Sequence, residues 1–85
     1  MNRRTRSLPY PPHVLKRIRR LRKKKGLPQR AVAAVLGISQ QAYSLYERGI
    51  CEIHIEEFLL LARFFDVSVD YITGVSNLVR KYPEY

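Results

Sequence analysis

This chain of 85 residues is poor in cysteine and has neither a long apolar run nor a signal-peptide pattern. Its one cysteine, Cys51, cannot form an internal disulfide, which fits a reducing cytoplasm. No apolar run reaches the roughly 18 residues that a membrane span needs, and the basic, polar first residues lack an apolar core behind them. The length predicts one domain with a modest core, and we expect it in the cytoplasm.

Residues with catalytic or metal-binding chemistry are also scarce. His13, His54 and Cys51 lack the spacing of metal ligands. No serine stands in a recognisable pattern with a histidine and a carboxylate, and the sequence contains no glycine-rich phosphate loop. We therefore expect a protein that is not an enzyme and that holds neither a metal nor a cofactor.

Acidic residues are missing from the first 25 positions, which hold eleven Lys or Arg. Positions 26–85 hold five basic and seven acidic residues, so the net charge of +9 comes from the N-terminal part of the chain. A one-sided basic surface is typical of a protein that binds a polyanion. A solvated helix face, or non-specific or RNA binding, is the alternative. Membrane-surface binding is disfavoured, because the narrow apolar stripe is needed for the core.

The apolar pattern predicts a basic extended arm over residues 1–12, an all-α domain over residues 13–74 and a tail over residues 75–85. Within the domain, periodicity and the Gly and Pro positions predict helices over residues 13–25, 29–36, 40–48, 55–65 and 69–73. The fourth helix is expected to pack five apolar side chains inward: Ile55, Phe58, Leu61, Ala62 and Phe65. An added strand, a helical turn and a loose end are all compatible with the tail.

Two short helical patterns joined by a tight turn occupy residues 29–49, which read QRAVAAVLGISQQAYSLYERG. Ala33 is small where the two helices would cross most closely. Gly37 suits a helix end in the left-handed conformation, and Ser39 suits the N-cap of the second helix. This is the pattern of a helix-turn-helix, whose second helix enters the major groove of DNA. A plain glycine-linked helix pair within a bundle is the alternative.

Arg22 is the charged member of the inward stripe of the first helix. An unpaired buried charge is costly, so Arg22 should need a carboxylate partner. Glu47, at the end of the third predicted helix, is the candidate partner. The alternative is that water solvates both groups.

Residues that carry a family pattern recur from the first helix to the fifth: Leu21, Arg22, Gly26, Leu27, Gln29, Ala33, Leu36, Gly37, Ile38, Ser39, Tyr46, Glu47, Gly49, Leu61, Ala62, Phe65, Val67, Ser68, Asp70, Tyr71 and Gly74. Through them the chain resembles the lambda-repressor-like helix-turn-helix proteins, also called the Xre/Cro type, over about residues 14–74. The resemblance implies a compact five-helix DNA-binding domain, usually dimeric on palindromic operators, with a buried Arg22–Glu47 ion pair. Pro28 departs from the pattern, since it replaces the usual Ser or Thr cap.

In such a domain the exposed face of the third helix reads base edges, and the resemblance places four residues there: Gln40, Gln41, Ser44 and Leu45. Glutamine binds adenine N6 and N7 together, so the glutamine pair hints at an A·T-containing half-site. Leu45 either packs on a thymine methyl group or is a plain exposed leucine. Phosphate contacts are predicted for Gln29, Arg30, Arg48, Lys23 and Lys25. The arm residues either reach a groove or have no specific role: Arg3, Arg4 and Arg6.

The sequence thus predicts a transcriptional regulator that binds double-stranded DNA as a homodimer, represses from a palindromic operator and associates with the nucleoid. The dimer contact is expected from Leu60, Phe64, Val75 and Leu78, and burial against the tail of the same chain is the alternative. The apolar connection over residues 50–54, together with the surplus apolar residues of the fourth helix, motivates a second hypothesis. In it, the chain is an antitoxin-type module that binds DNA and also a toxin-like protein partner.

Overall fold

The computed structural model describes residues 10–73. This part of the protein folds into five α-helices and contains no strand. They are α1 (His13–Lys24), α2 (Gln29–Leu36), α3 (Gln40–Glu47), α4 (Ile55–Phe65) and α5 (Val69–Thr73). The predicted all-α, five-helix architecture is confirmed, although α1 and α3 each end one residue earlier than predicted. None of these five helices is long and apolar enough to cross a membrane. The predicted arm up to residue 9 and the predicted tail lie outside the described residues.

The core lies between the inward faces of the helices. α2 packs against α3 and α4, whereas α1 packs against α3 and α5. Apolar side chains at three- and four-residue spacing give α1 and α4 one buried face each. The buried apolar residues are Val14, Leu15, Ile18, Val32, Ala33, Tyr43, Ile53, Phe58, Leu61, Ala62, Phe65, Val67 and Ile72. Since α3 contributes only Tyr43 to this set, most of its surface is left for other contacts.

Gly37 and Ser39 build the turn between α2 and α3. Gly37 is left-handed, with φ +71, and the Ile38 N–H donates to the Ala33 carbonyl at 3.0 Å, which closes the end of α2. The Ser39 hydroxyl oxygen accepts a hydrogen bond from the Ala42 N–H at 3.1 Å and so caps the start of α3. Both predicted roles are confirmed. Together these contacts fix the direction in which α3 leaves α2.

Tyr10 packs on the helical domain, although the sequence assigned it to the extended arm. Its ring meets the Phe58 ring edge-on, with centroids 5.2 Å apart. Its hydroxyl oxygen accepts a hydrogen bond from the Ile53 N–H at 2.9 Å, and burial raises the pKa of this hydroxyl. Tyr10 lies next to prolines in a segment without a helical pattern. Periodicity in the sequence therefore could not predict this contact.

The prediction that Ile55 packs inward is wrong. Ile55 is 60% exposed, and Ile53, in the connection before α4, is buried at 3% exposure. Ile55 is the first residue of α4, so it lies at the edge of the face that Phe58, Leu61 and the later residues define. At this end of the helix the connection, rather than α4 itself, supplies the buried isoleucine.

Gly49→Ala is expected to destabilise the fold more than Gly26→Ala. Both glycines are left-handed, with φ of +77 and +69, so alanine at either position should cost about 1–2 kcal/mol in backbone energy. At Gly49 an added Cβ would also meet the Leu15 Cδ1 at 3.1 Å, whereas at Gly26 nothing lies within 4 Å. Denaturant unfolding measures both losses, and equal losses would show that Leu15 moves aside freely.

Candidate nucleic-acid interface

Six side chains line one groove of about 350 Å³: Gln29, Gln40, Gln41, Ser44, Leu45 and Arg48. The four residues predicted to touch bases therefore share a surface with two of those predicted to touch phosphates. Five of the six follow the spacing of one helix face: four belong to α3, and Arg48 directly follows it. Gln40, Gln41 and Arg48 are exposed, and Ser44 and Leu45 are half-buried. We call this surface the α3 groove.

The α3 groove presents amide, hydroxyl, aliphatic and guanidinium groups, and none of its six lining residues is acidic. Each glutamine amide carries both donors and an acceptor, which match the adenine edge in the major groove. The guanidinium of Arg48 adds a cation that suits a phosphate. Within residues 10–73, no three His, Cys, Asp or Glu side chains lie together to hold a metal ion. The groups present are suited to polar recognition of a nucleic acid.

The start of α2 favours an anion. Pro28 lies in an extended conformation and gives no side-chain hydrogen bond to the first turn of α2, which also holds no acidic residue. The positive end of a helix attracts phosphate through its backbone N–H groups. Arg30, which is exposed in this turn, is not among the lining residues of the α3 groove. It therefore adds positive charge beside the groove rather than within it.

A buried ion pair between Arg22 and Glu47 lies behind the α3 groove. The Arg22 Nε donates to Glu47 Oε2 at 2.7 Å, and its Nη2 donates to Oε1 at 3.1 Å. The Arg22 Nη1 donates to the Leu27 carbonyl at 2.8 Å, and the Gln29 amide donates to Glu47 Oε1 at 3.0 Å. The pair thus joins the ends of α1 and α3 to the start of α2. Because an amide nitrogen has two N–H groups, Gln29 can donate to Glu47 and to a phosphate at once.

Both partners of this ion pair are held in their charged forms. Burial by itself would raise the pKa of the Glu47 carboxyl, but the hydrogen bonds from Arg22 and Gln29 outweigh it, and the pKa is lowered from 4.5. The hydrogen bond to Glu47 raises the pKa of the Arg22 guanidinium. Since the Glu47 side chain is only 4% exposed, its charge depends on these donors rather than on water.

A second contact, which the sequence did not reveal, joins α3 to the start of α4. The Tyr46 hydroxyl donates to the Glu57 carboxylate at 2.9 Å, and Glu57 Oε1 also accepts from the His54 N–H at 3.0 Å. Burial, followed by the hydrogen bond to Glu57, raises the pKa of Tyr46 to about 12. α3 is therefore held by polar contacts on its inner side towards both α1 and α4.

The basic residues of α1, together with Lys25, which follows it, divide into two groups. Lys23 and Lys25, both predicted to contact phosphate, are exposed but do not line the α3 groove, and the Lys25 ammonium lies 5.8 Å from the centre of the Phe64 ring. Arg17 is one of the basic residues that the charge pattern assigned to the basic surface. Its Nη1 donates to the Tyr71 carbonyl at 2.6 Å. Its guanidinium also lies 4.6 Å from the centre of the Tyr71 ring. This residue joins α1 to α5.

Arg22→Met with Glu47 retained is expected to destabilise the protein by about 3–5 kcal/mol, because a buried carboxylate loses its cation. Arg22→Met combined with Glu47→Leu should recover much of the loss, since no charge is then left unpaired. Arg19→Met, at an exposed arginine of the same helix, is the matched control and should stay within about 0.5 kcal/mol. Denaturant unfolding measures all three variants. An unchanged midpoint for Arg22→Met would refute the expectation.

Acid is expected to weaken the fold through Glu47. Because the folded-state pKa of this carboxyl lies below 4.5, folding favours its ionised form. The resulting stability is complete above about pH 4.5 and is lost as the pH falls through the lower, folded-state pKa. NMR titration of the side-chain carboxyl carbons, combined with urea unfolding between about pH 6 and about pH 3, measures both effects. A Glu47 pKa above 4.5 in the folded protein would contradict this.

Known proteins with related sequences include three from Bacillus subtilis (strain 168). The uncharacterized HTH-type transcriptional regulator YobD is 38% identical over 61 residues, which cover 72% of this chain and 54% of YobD. The uncharacterized HTH-type transcriptional regulator YqaE is 38% identical over 61 residues, covering 71% of this chain and 53% of YqaE. The HTH-type transcriptional regulator AnsR is 37% identical over 70 residues, covering 82% of this chain and 60% of AnsR.

The chain spans about half the length of the curated relatives YobD and YqaE. No solved structure matches it at a significant level. A helix-turn-helix family model matches residues 18–72, a stretch that includes the whole of α2, the Gly37 turn and α3. On this match, which covers more than half of the sequence, the chain belongs to the lambda-repressor-like helix-turn-helix family.

Proposed function

We propose that the protein regulates transcription by binding double-stranded DNA with α3 in the major groove. The α3 groove carries this proposal, because Gln40, Gln41, Ser44 and Leu45 lie together on one accessible helix face. The relatives YobD and AnsR, which are named as HTH-type transcriptional regulators, support the same role. As a DNA-binding regulator the protein would act in the cytoplasm, at the nucleoid.

Base reading falls to the first two turns of α3. Gln40 and Gln41 begin the helix and are exposed, and the N-terminal residues of a recognition helix contact base edges. A glutamine amide that pairs with adenine N6 and N7 would give preference for an A·T pair. Ser44 can bond to any base edge, and half-buried Leu45 offers methyl groups to a thymine methyl.

Phosphate binding falls to residues around the α3 groove. Gln29 and Arg30 lie at the start of α2, where the helix dipole attracts an anion, and Arg48 lies at the other end of the groove. Exposed Lys23 and Lys25 add sequence-independent attraction. Such contacts set the register of the protein on the duplex and carry no sequence information. Arg3, Arg4 and Arg6 lie outside the described residues, and a groove contact from them remains an additional prediction.

The regulator is proposed to act as a homodimer that represses by occupying a palindromic operator. Leu60 is 42% exposed and stands one helical turn before half-buried Phe64 on α4, which gives an apolar strip for a twofold contact. The Phe64 ring packs against the Phe65 ring, with ring centroids 5.1 Å apart, so Leu60 is the more accessible of the two residues. The other predicted dimer residues, Val75 and Leu78, lie outside the described residues.

A toxin-like protein partner is the second candidate. The observation in its favour is the exposure of Ile50 in the connection and of Leu59 on α4, since exposed bulky apolar side chains are available to a protein partner. Within the connection that motivated this hypothesis, Ile53 is buried and therefore unavailable to a partner. Copurification of an untagged protein with the tagged chain would support this candidate, and a clean dimer without a partner would count against it.

Selection from a random duplex DNA pool at about physiological salt, where electrostatic binding alone is weak, tests the proposed function. We expect an enriched palindrome whose half-sites lie about 34 Å apart, one helical turn. An enriched single half-site would keep sequence-specific binding and refute the dimer. No enrichment, with binding only at low salt, would refute sequence-specific recognition.

The same selection repeated with Gln40→Ala tests the assignment of α3. The variant should lose preference at one base pair, at a cost of about 1–3 kcal/mol for the preferred sequence. Lys23→Ala is the contrasting variant, because loss of a phosphate contact should weaken all sequences alike and reduce the salt slope by about one. If Gln40→Ala and Gln41→Ala both kept the base preference of the unaltered protein, α3 would not read DNA as proposed.

A further inference from the structure

α1 carries a row of cations that none of the proposed DNA contacts uses. Lys16, Arg20 and Lys24 stand four residues apart on this helix, and all three are exposed. None of them lines the α3 groove. Within residues 10–73, none of them forms an ion pair with a carboxylate. We call these three residues the outer row.

The outer row points away from α3. Ile18 and Arg22 are buried on the inward side of α1, and Arg22 contacts Glu47 of α3. Each member of the outer row is two residues from Ile18 or Arg22. At 3.6 residues per turn it lies about 160° away from them around the helix. The width of α1, about 10 Å, therefore separates the outer row from α3 and leaves it open to a different ligand.

The outer row repels itself, and α1 does nothing to offset this. Like charges four residues apart destabilise a helix, and the row contains two such pairs, Lys16 with Arg20 and Arg20 with Lys24. α1 contains no Asp or Glu. Glu47, the carboxylate that does pair with α1, is bound to Arg22 on the inward side. A polyanion bound along the outer row would remove the repulsion, so the row suits a charged ligand better than it suits free α1.

The spacing of the outer row fits a nucleic-acid backbone. Four residues of helix rise about 6 Å, so the row spans about 12 Å. One strand of B-DNA carries a phosphate about every 3.4 Å along its axis, and the row therefore faces three or four phosphates. A membrane surface is disfavoured, because it needs apolar side chains to insert. The exposed bulky apolar residues of the described part all lie outside α1: Ile50, Ile55, Leu59 and Leu60.

We propose that the outer row binds the backbone of a second DNA segment while α3 reads the first, so that the protein bridges two duplexes. The inference rests on the proposed function, which brings the first duplex to the protein. The second contact has no sequence preference, because phosphates carry no sequence information. It gives the outer row a task separate from that of Lys23 and Lys25, which attract the first duplex. A regulator bound at its operator then also holds a distant stretch of DNA.

A capture experiment tests the bridge. Beads that carry the duplex enriched by selection are loaded with the protein and washed. They then receive a free, fluorescent duplex of random sequence at about 50 mM salt, where electrostatic binding persists. Loading and capture are measured separately. The triple variant Lys16→Gln, Arg20→Gln and Lys24→Gln should load as the unaltered protein does and capture at least about tenfold less free duplex. The salt slope of capture should fall by about three, one for each lost phosphate contact.

The outcomes of this experiment are distinct. Full loading without capture by the unaltered protein, or equal capture by the triple variant, would overturn the bridge. Weaker loading of the triple variant would place the outer row on the first duplex and would overturn it as well. Double-stranded RNA that displaces the free duplex at lower concentration than DNA does would refute the choice of DNA. Failure of the unaltered protein to load would count against the proposed function instead.

Backbone amide NMR of the full chain gives a second readout, which needs no preferred sequence. Excess duplex of random sequence at about 50 mM salt should shift the amide signals of residues 16–24, and Arg20→Gln should reduce these shifts. Arg63→Gln is the matched control, because it removes the same charge from an exposed arginine of α4. It should leave the shifts unchanged. No shifts at residues 16–24, or equal shifts in the two variants, would overturn the proposal whatever the selection finds.

Discussion

The ion pair between Arg22 and Glu47 is the contact on which the rest of this structure depends. It joins the end of α1 to the end of α3, and through the Leu27 carbonyl and the Gln29 amide it also sets the start of α2. Buried charges tolerate little displacement, because each must keep its hydrogen bonds to offset the loss of water. The relative position of α2 and α3 is therefore held by a contact that lies behind the α3 groove. The surface proposed to read DNA inherits its shape from residues that need not touch DNA.

α3 combines two tasks in eight residues. Its inner side carries Tyr43 in the core and Tyr46 in a hydrogen bond to Glu57, while its outer side carries the glutamines and Ser44. Since the two sides share no residue, the outer side can differ between related proteins without loss of packing. The helix is anchored through its inner side, so the residues that stabilise the fold and those proposed to read DNA occupy separate positions.

Local chemistry made much of this fold predictable from the sequence. Gly37 and Ser39 act through their own backbone and nearest neighbours. Because an unpaired buried charge is costly, Arg22 required a carboxylate partner, and Glu47 was the candidate. Contacts between irregular and distant segments gave no such signal. Tyr10 meets Ile53 across 43 residues, and Arg17 meets Tyr71 across 54, with no periodic pattern linking either pair. Ile55 followed the helical spacing yet is exposed, because the buried isoleucine comes from the preceding connection. The α3 groove could be anticipated only as a set of residues on one helix face; its joint lining with Gln29 depends on the packing of α2 against α3.

Tyr10 and Thr73, the first and last residues that the structure describes, line one groove of about 410 Å³, and this has a topological consequence. The segment before α1 and the end of α5 therefore lie on the same side of the five helices. Tyr10 and Thr73 both lie outside the α3 groove, which has a separate lining. Relatives such as YobD and YqaE, of which this chain covers about half, show that the family accommodates additional chain. A domain whose ends lie close together can be joined to further modules, or be cut and rejoined in a new order, without rearrangement around α3.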